Sequence, residues 1–316
     1  MPWIDPTLLE TVVYLYPSEA EAEDGAGMGG SGFLVGIPVL PRNPGIAPLV
    51  AVVTNKHVIH NGNMIVRINT LDGGKDIIAL DSERWFTHPD GDDLAVCPIR
   101  LSRQNHKANY LPLKFFLTKD VVEQFEIGPG DDCFVVGRFV NHEGKQRNLP
   151  SVRFGNIAQM PWEPIIVGGF AQESFLVEAR SIAGYSGSPV FVYLPRQIDG
   201  SLNPELVSMA QRGTLKIPGV SAKRVHLPFQ IGPLLLGVSY CHTMDDAPVQ
   251  SKETGEPVRD WVVKSNTGMM GVIPAWKLHG LLRGEEMRPV REAARKEAEA
   301  AAGEESNVAL DIADDA

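Results

Sequence analysis

Short apolar runs rich in Val, Ile and aromatic residues, cut at intervals by Gly, Pro, Asn and Asp, dominate this chain from residue 11 to residue 274. A first set comprises TVVYLYP (11–17), FLVGIPVL (33–40), PLVAVVTN (48–55), MIVRINT (64–70) and DLAVCPI (93–99). An irregular connection covers 101–130. A second set follows, with CFVVGRFV (133–140), SFLVEA (174–179), SPVFVYL (188–194), PLLLGVSY (233–240) and MMGVIP (269–274). β-Branched and aromatic side chains fit a pleated surface, and the punctuating residues supply turns. Two sets of short strands imply barrels or sandwiches rather than an α/β sheet.

Helical signals are confined to a few places. The mixed segment 195–232 contains LNPELVSMAQRG, which has room for a short helix, and reads as an insertion between two strands. AWKLHGLL (275–282) follows Pro274 and reads as a helix. REAARKEAEAAA (291–302) has strong helix formers but few large apolar residues, and GEESNVALDIADDA (303–316) is expected to be disordered.

Charge and cysteine content exclude several classes of function. The formal net charge is -10, so nucleic acid is not expected as the main partner, because phosphate binding needs clustered Lys and Arg. The three cysteines, Cys97, Cys133 and Cys241, are widely spaced and suit neither a metal site nor a disulfide scaffold. No basic leader or long apolar run is visible, so neither secretion nor a membrane span is expected, and the cytoplasm is the expected location.

Three short motifs carry chemistry. In GYSGSP (184–189), Ser186 lies between Gly184 and Gly187 just before a strong strand. A nucleophilic serine needs such a turn, with backbone N–H groups converging on the developing oxyanion. In VVTNKHVI (52–59), an apolar strand ends in a polar turn that delivers His57, a candidate general base, whereas His60 reads as a loop residue. In DDLAVCPI (92–99), Asp93 directly precedes an apolar strand and is the candidate for orienting an imidazole, with Asp92 expected to point to solvent.

The motifs and their order, His then Asp then Ser, resemble those of trypsin-like serine peptidases, and differ from the orders of subtilisins and α/β-hydrolases. GMGGSGFLVG (27–36), IGPGDDCFVVGRF (127–139), LLGVSY (235–240) and GMMGVIPAWKLHGLL (268–282) are similar to segments of bacterial HtrA-type protease domains, so the resemblance covers roughly residues 10–283. It implies an all-β chymotrypsin-like fold of two antiparallel six-stranded barrels, with a C-terminal helix and a disordered acidic tail. The implied domains are 8–110 with His57 and Asp93, 111–283 with Ser186 and the 195–232 insertion, and the tail 284–316.

The implied activity is a serine endopeptidase with a His57–Asp93–Ser186 triad and an oxyanion hole from the N–H groups of Gly184 and Ser186. Gly237, Val238 and Ser239 would receive the substrate backbone, and Arg180 would face the pocket for the side chain before the scissile bond. A polypeptide substrate is implied, without metal or cofactor, and an activating protein partner is compatible. A binding module that keeps the triad without activity is the alternative. Tyr185 departs from the secreted enzymes, which carry an Asp there to pair with a new N-terminus. Gly27, Gly29 and Gly32 match a dinucleotide-loop spacing, but a strand rather than a helix follows them.

Overall fold

A computed structural model describes residues 4–27, 29–40, 46–139, 144–167, 170–179, 184–193 and 233–314, with Arg259 and 302–314 described as backbone only. The first half contains α1 (Pro6–Leu9), β1 (Val12–Tyr16), α2 (Glu19–Asp24), β2 (Gly30–Ile37), β3 (Leu49–Thr54), α3 (Lys56–His60), β4 (Ile65–Asn69), β5 (Lys75–Ala79), β6 (Phe86–Thr87), β7 (Ala95–Pro98) and β8 (Leu111–Pro112). The strands pair in the order β5-β4-β1-β2-β3-β7-β6, and β8 adds to β2 in parallel.

Alternation explains why β1, β2 and β3 are buried on both faces. Val13 and Leu15, Leu34, Val52 and Cys97 pack with Val66 and Ile68 into one cluster, the interior around which this sheet curls. Their neighbours Val12, Tyr14, Phe33, Val35, Ala51, Val53 and Val96 join the second half's core. Successive side chains point to opposite faces, so each strand serves two cores.

The second half contains α4 (Lys119–Phe125), β9 (Asp132–Gly137), β10 (Ser151–Gln159), β11 (Ile165–Val167), β12 (Phe170–Gln172), β13 (Phe175–Glu178), β14 (Pro189–Val192), β15 (Leu234–Gln250), β16 (Pro257–Pro274), α5 (Ala275–Arg283) and α6 (Arg288–Asp314). Strands β10, β13, β16, β15, β14 and β9 close into a barrel, and β11 and β12 form a separate hairpin. This is the expected two-barrel, chymotrypsin-like architecture. The second half gives the six strands expected of a closed barrel, and the first half gives an eight-stranded sheet, a path of seven with β8 beside it.

The barrels meet across a buried cationic seam. Arg138, just after β9, stacks 4.3 Å from the centroid of Tyr16 and donates to Gly27 O at 2.9 Å. Arg67 of β4 lies 5.0 Å from the same ring and donates to Asn148 Oδ1 at 2.7 Å. Both guanidiniums are fully buried, and stacking with hydrogen bonding offsets their desolvation.

Two elements differ from the sequence expectation. PLLLGVSY and MMGVIP are only the barrel ends of a long hairpin, whose register continues to Gln250 opposite Pro257. Its outer part exposes Trp261, Val262 and Val263. The helix expected from the formers at 291–302 runs from Arg288 to Asp314, into the stretch 303–314 that was expected to be disordered. Its Ala, Glu, Lys and Arg favour helix, and Arg295 pairs with Glu299 one turn on at 2.7 Å.

The insertion 195–232 lies outside the described residues. A groove of about 1450 Å³ runs between α6 and the first barrel, with Leu49, Ile99, Tyr110, Ala294 and Ala298 in its walls. His57, Asp93 and Ser186 take no part in it. Among the described residues no helix is long and apolar enough to cross a membrane.

Candidate active site

His57 sits in the first turn of α3, directly after β3. Asp93 lies on the approach to β7, which pairs with β3. One carboxylate holds the histidine twice: Asp93 Oδ1 accepts the His57 backbone N–H at 2.8 Å, and Oδ2 meets Nδ1 at 2.6 Å. An ionised carboxylate only accepts, so Nδ1 carries the proton and Nε2 keeps a free lone pair. The His57 side chain is 41% exposed and that of Asp93 22%, so the imidazole remains reachable from solvent.

Asp93 is itself held from two sides. Asn55, fully buried, donates from Nδ2 to Asp93 O at 2.9 Å. Gln172, at the end of β12 in the second half, accepts the Asp93 backbone N–H through Oε1 at 3.1 Å. The Asp93 backbone is therefore held by side chains from both halves.

Ser186 lies on a turn between two glycines in left-handed conformations, Gly184 at φ +95° and Gly187 at φ +84°. A Cβ at Gly187 would also overlap Ser31 O and Thr54 Oγ1. Ser31 of β2 ties this turn to the first barrel. Its N–H donates to Ser186 O at 2.8 Å, and its hydroxyl donates to Gly184 O at 2.7 Å. Ser31 Oγ also accepts the Arg138 N–H at 2.9 Å, and Thr54 Oγ1 donates to Ser31 O at 2.8 Å. Thr54 ends the strand that delivers His57, so a short hydrogen-bonded path joins the serine turn to the histidine turn. Among the described residues no hydrogen bond joins Ser186 Oγ to His57.

Tyr185 is fully buried and points into the second half, where its hydroxyl bonds Ser151 and accepts from Arg153 Nε at 3.1 Å. Gly237 and Val238 lie between β14 and β16, paired on both sides. Ser239 N–H donates to Ser188 O at 2.9 Å, and Ser239 O accepts from Gly187 N–H at 2.8 Å. The backbone of these three residues is thus committed within the barrel. Arg180 lies outside the described residues.

Asp92 departs from its expected place in solvent. It is 4% exposed, and its Oδ2 lies 3.0 Å from His88 Nδ1 and 3.2 Å from Lys277 Nζ of α5, while Oδ1 accepts Gln172 Nε2 at 2.6 Å. Burial by itself raises this carboxyl, but the contacts with His88, Lys277 and Gln172 outweigh it and bring it down to about 2. Residues 88–94 form a turn rather than a strand, so neighbouring aspartates need not face opposite ways. The His88 imidazole four positions before Asp92 was the available signal. His88, Asp90 and Asp92 bring ligand-type atoms within 4.8 Å of one another, but the Lys277 ammonium already supplies a cation there.

The thiols offer no competing nucleophile. Cys97 and Cys133 are pushed up to about 12 by burial, and Cys241 is also raised, again chiefly by burial. Sequence reasoning did not assign Ser31, Asn55 or Gln172. Ser31 sat in view within GSGF, but the partners of its hydroxyl, Gly184 and Arg138, are more than 100 residues away in sequence.

No family model matches the chain, and no curated protein matches it. Solved structures similar to it include the apo protease domain of MamO from Magnetospirillum magneticum, at 16% identity over 88% of this chain and 98% of that one, with a TM-score of 0.45. Deg5 is similar at 19% identity over 58% of this chain and 75% of that one, with a TM-score of 0.38. The HtrA-type protease AlgW with a decapeptide is similar at 15% identity over 88% of this chain and 65% of that one, with a TM-score of 0.43.

Proposed function

We propose that the chain is a serine endopeptidase in which Ser186, His57 and Asp93 act as nucleophile, general base and orienting carboxylate. The supporting observation is the pair of hydrogen bonds that Asp93 accepts from His57, which leaves Nε2 unprotonated on a ring that is 41% exposed. Ser186 Oγ attacks a peptide carbonyl while Nε2 takes its proton. The N–H groups of Gly184 and Ser186 receive the oxyanion, which the positive φ at Gly184 suits. His57 then protonates the leaving amine, and water attacks the acyl-enzyme with His57 again as base.

In this reading the substrate-receiving backbone lies one step beyond the expected stretch 237–239. Gly237, Val238 and Ser239 have partners on both sides, whereas the β14-facing edge of β15 beyond Ser239 has none among the described residues. The proposal therefore sets the substrate strand against residues 240–242. This is addition of a strand to a free sheet edge.

One observation favours a second reading. The absence of a Ser186–His57 hydrogen bond fits a latent protease or an inactive binding module. Catalytic hydrogen bonds are also often long before substrate binds. A peptide library incubated with wild type and with Ser186→Ala separates the readings. Cleavage by wild type alone supports the endopeptidase, and equal behaviour of the two proteins contradicts it.

A further inference from the structure

We infer that Gln172 is a positioning residue for Asp93, clamped in place by the buried Asp92 carboxylate and by Lys277 of the terminal helix α5. This inference rests on the proposed triad and extends it to a regulator of its geometry. Gln172 is 1% exposed and its amide reads two consecutive aspartates with opposite polarity. Oε1 accepts the Asp93 N–H, while Nε2 donates to Asp92 Oδ1 at 2.6 Å and to Glu173 O at 3.3 Å. Both N–H bonds and the carbonyl are therefore used, and the amide cannot flip without losing all three. Asp93 O is fixed by Asn55 from the first barrel, so Gln172 fixes the other end of the same residue from the second.

The following residues extend the clamp. Glu173 accepts Trp276 Nε1 at 2.9 Å and lies 3.6 Å from Lys277 and 3.4 Å from Lys119 of α4. Ser174 donates to Gln172 O at 3.1 Å and bonds Tyr240 of β15 at 3.0 Å. A short stretch at the β12–β13 junction thus joins α4, α5 and β15 to the backbone of Asp93, the residue that orients His57. A shift of these elements reaches the catalytic aspartate through one amide, and a misplacement of about 1 Å can cost about 10²-fold in rate.

The test compares full-length wild type, Gln172→Leu and Gln172→Glu. One readout is the downfield proton resonance of the His57 Nδ1–H shared with Asp93. The other is the rate of labelling by a fluorophosphonate. The charged groups facing position 172 are Asp90, Asp92, Asp93 and His88 from the first barrel, Glu173 beside it, Lys119 of α4 and Lys277 of α5. Gln172→Leu is expected to lose the resonance and to label about 10- to 100-fold more slowly.

Gln172→Glu places a carboxylate against Asp92. Its resonance is expected to be weak at neutral pH and to return on acidification, when a carboxyl O–H replaces the amide N–H donor. Recovery by this variant separates positioning from a merely structural role. A folded Gln172→Leu that keeps the wild-type resonance and labelling rate overturns the inference. If Gln172→Leu does not fold, a Gln172→Glu resonance that follows the wild-type pH profile overturns it instead. Wild type that shows the resonance but never labels contradicts the peptidase reading, and the resonance arm still decides the role of Gln172.

Discussion

Asp93→Asn inverts the chemistry of the site while leaving its shape in place. In wild type one carboxylate oxygen accepts the His57 backbone N–H at 2.8 Å. That donor cannot reverse, so the replacing amide must put its oxygen there. Its NH₂ group then faces Nδ1 at the position where Oδ2 sits 2.6 Å away. An N–H donor against Nδ1 requires Nδ1 to accept, which moves the ring proton to Nε2. A protonated Nε2 cannot take the Ser186 proton. In a Ser-His-Asp triad such a tautomer inversion costs about 10⁴-fold, or about 5.5 kcal/mol of transition-state stabilisation. The second-order rate of fluorophosphonate labelling reads this loss directly, and a thermal melt shows that the fold is retained. Labelling of a folded Asp93→Asn variant within tenfold of wild type would refute the reasoning.

Further outcomes follow from the same contacts. The Asp92 carboxyl is lowered to about 2 in the folded protein, so it contributes stability above its unfolded value near 4, and that contribution is lost as pH falls toward 2. The shift corresponds to about 2.5 kcal/mol, and urea titrations should show wild type losing about that much more than Asp92→Asn between pH 5 and pH 2, whereas parallel losses would contradict the assignment. Ser31→Ala removes the hydroxyl that donates to Gly184 O and accepts from the Arg138 N–H in a fully buried position. It is expected to lower stability by about 2 kcal/mol in urea titration and to slow labelling, and an unchanged labelling rate would show that the serine turn holds itself.

The parts of the site legible in the sequence were those written locally. Ser186 between glycines, His57 at a strand end and Asp93 before an apolar run each carry their signal within a few residues. The two-faced burial of β1, β2 and β3 was visible as near-continuous apolar runs. The outer half of the β15–β16 hairpin was not, because solvent contacts both faces and no alternation is imposed. The helix formers at 291–302 showed the start of the tail helix, but its extension past 302 was not legible, because GEESNVALDIAD carries little apolar periodicity. Asp92 was misplaced because alternation was extended into a turn where it does not apply. Gln172 and Ser31 act across the two barrels, and nothing within their own segments reports such partners.

The most direct test of the account is labelling of wild type by a fluorophosphonate beside Ser186→Ala and His57→Ala. The account predicts stoichiometric labelling of wild type at Ser186 and none in either variant. Labelling at another residue, or equal labelling of wild type and Ser186→Ala, would contradict it.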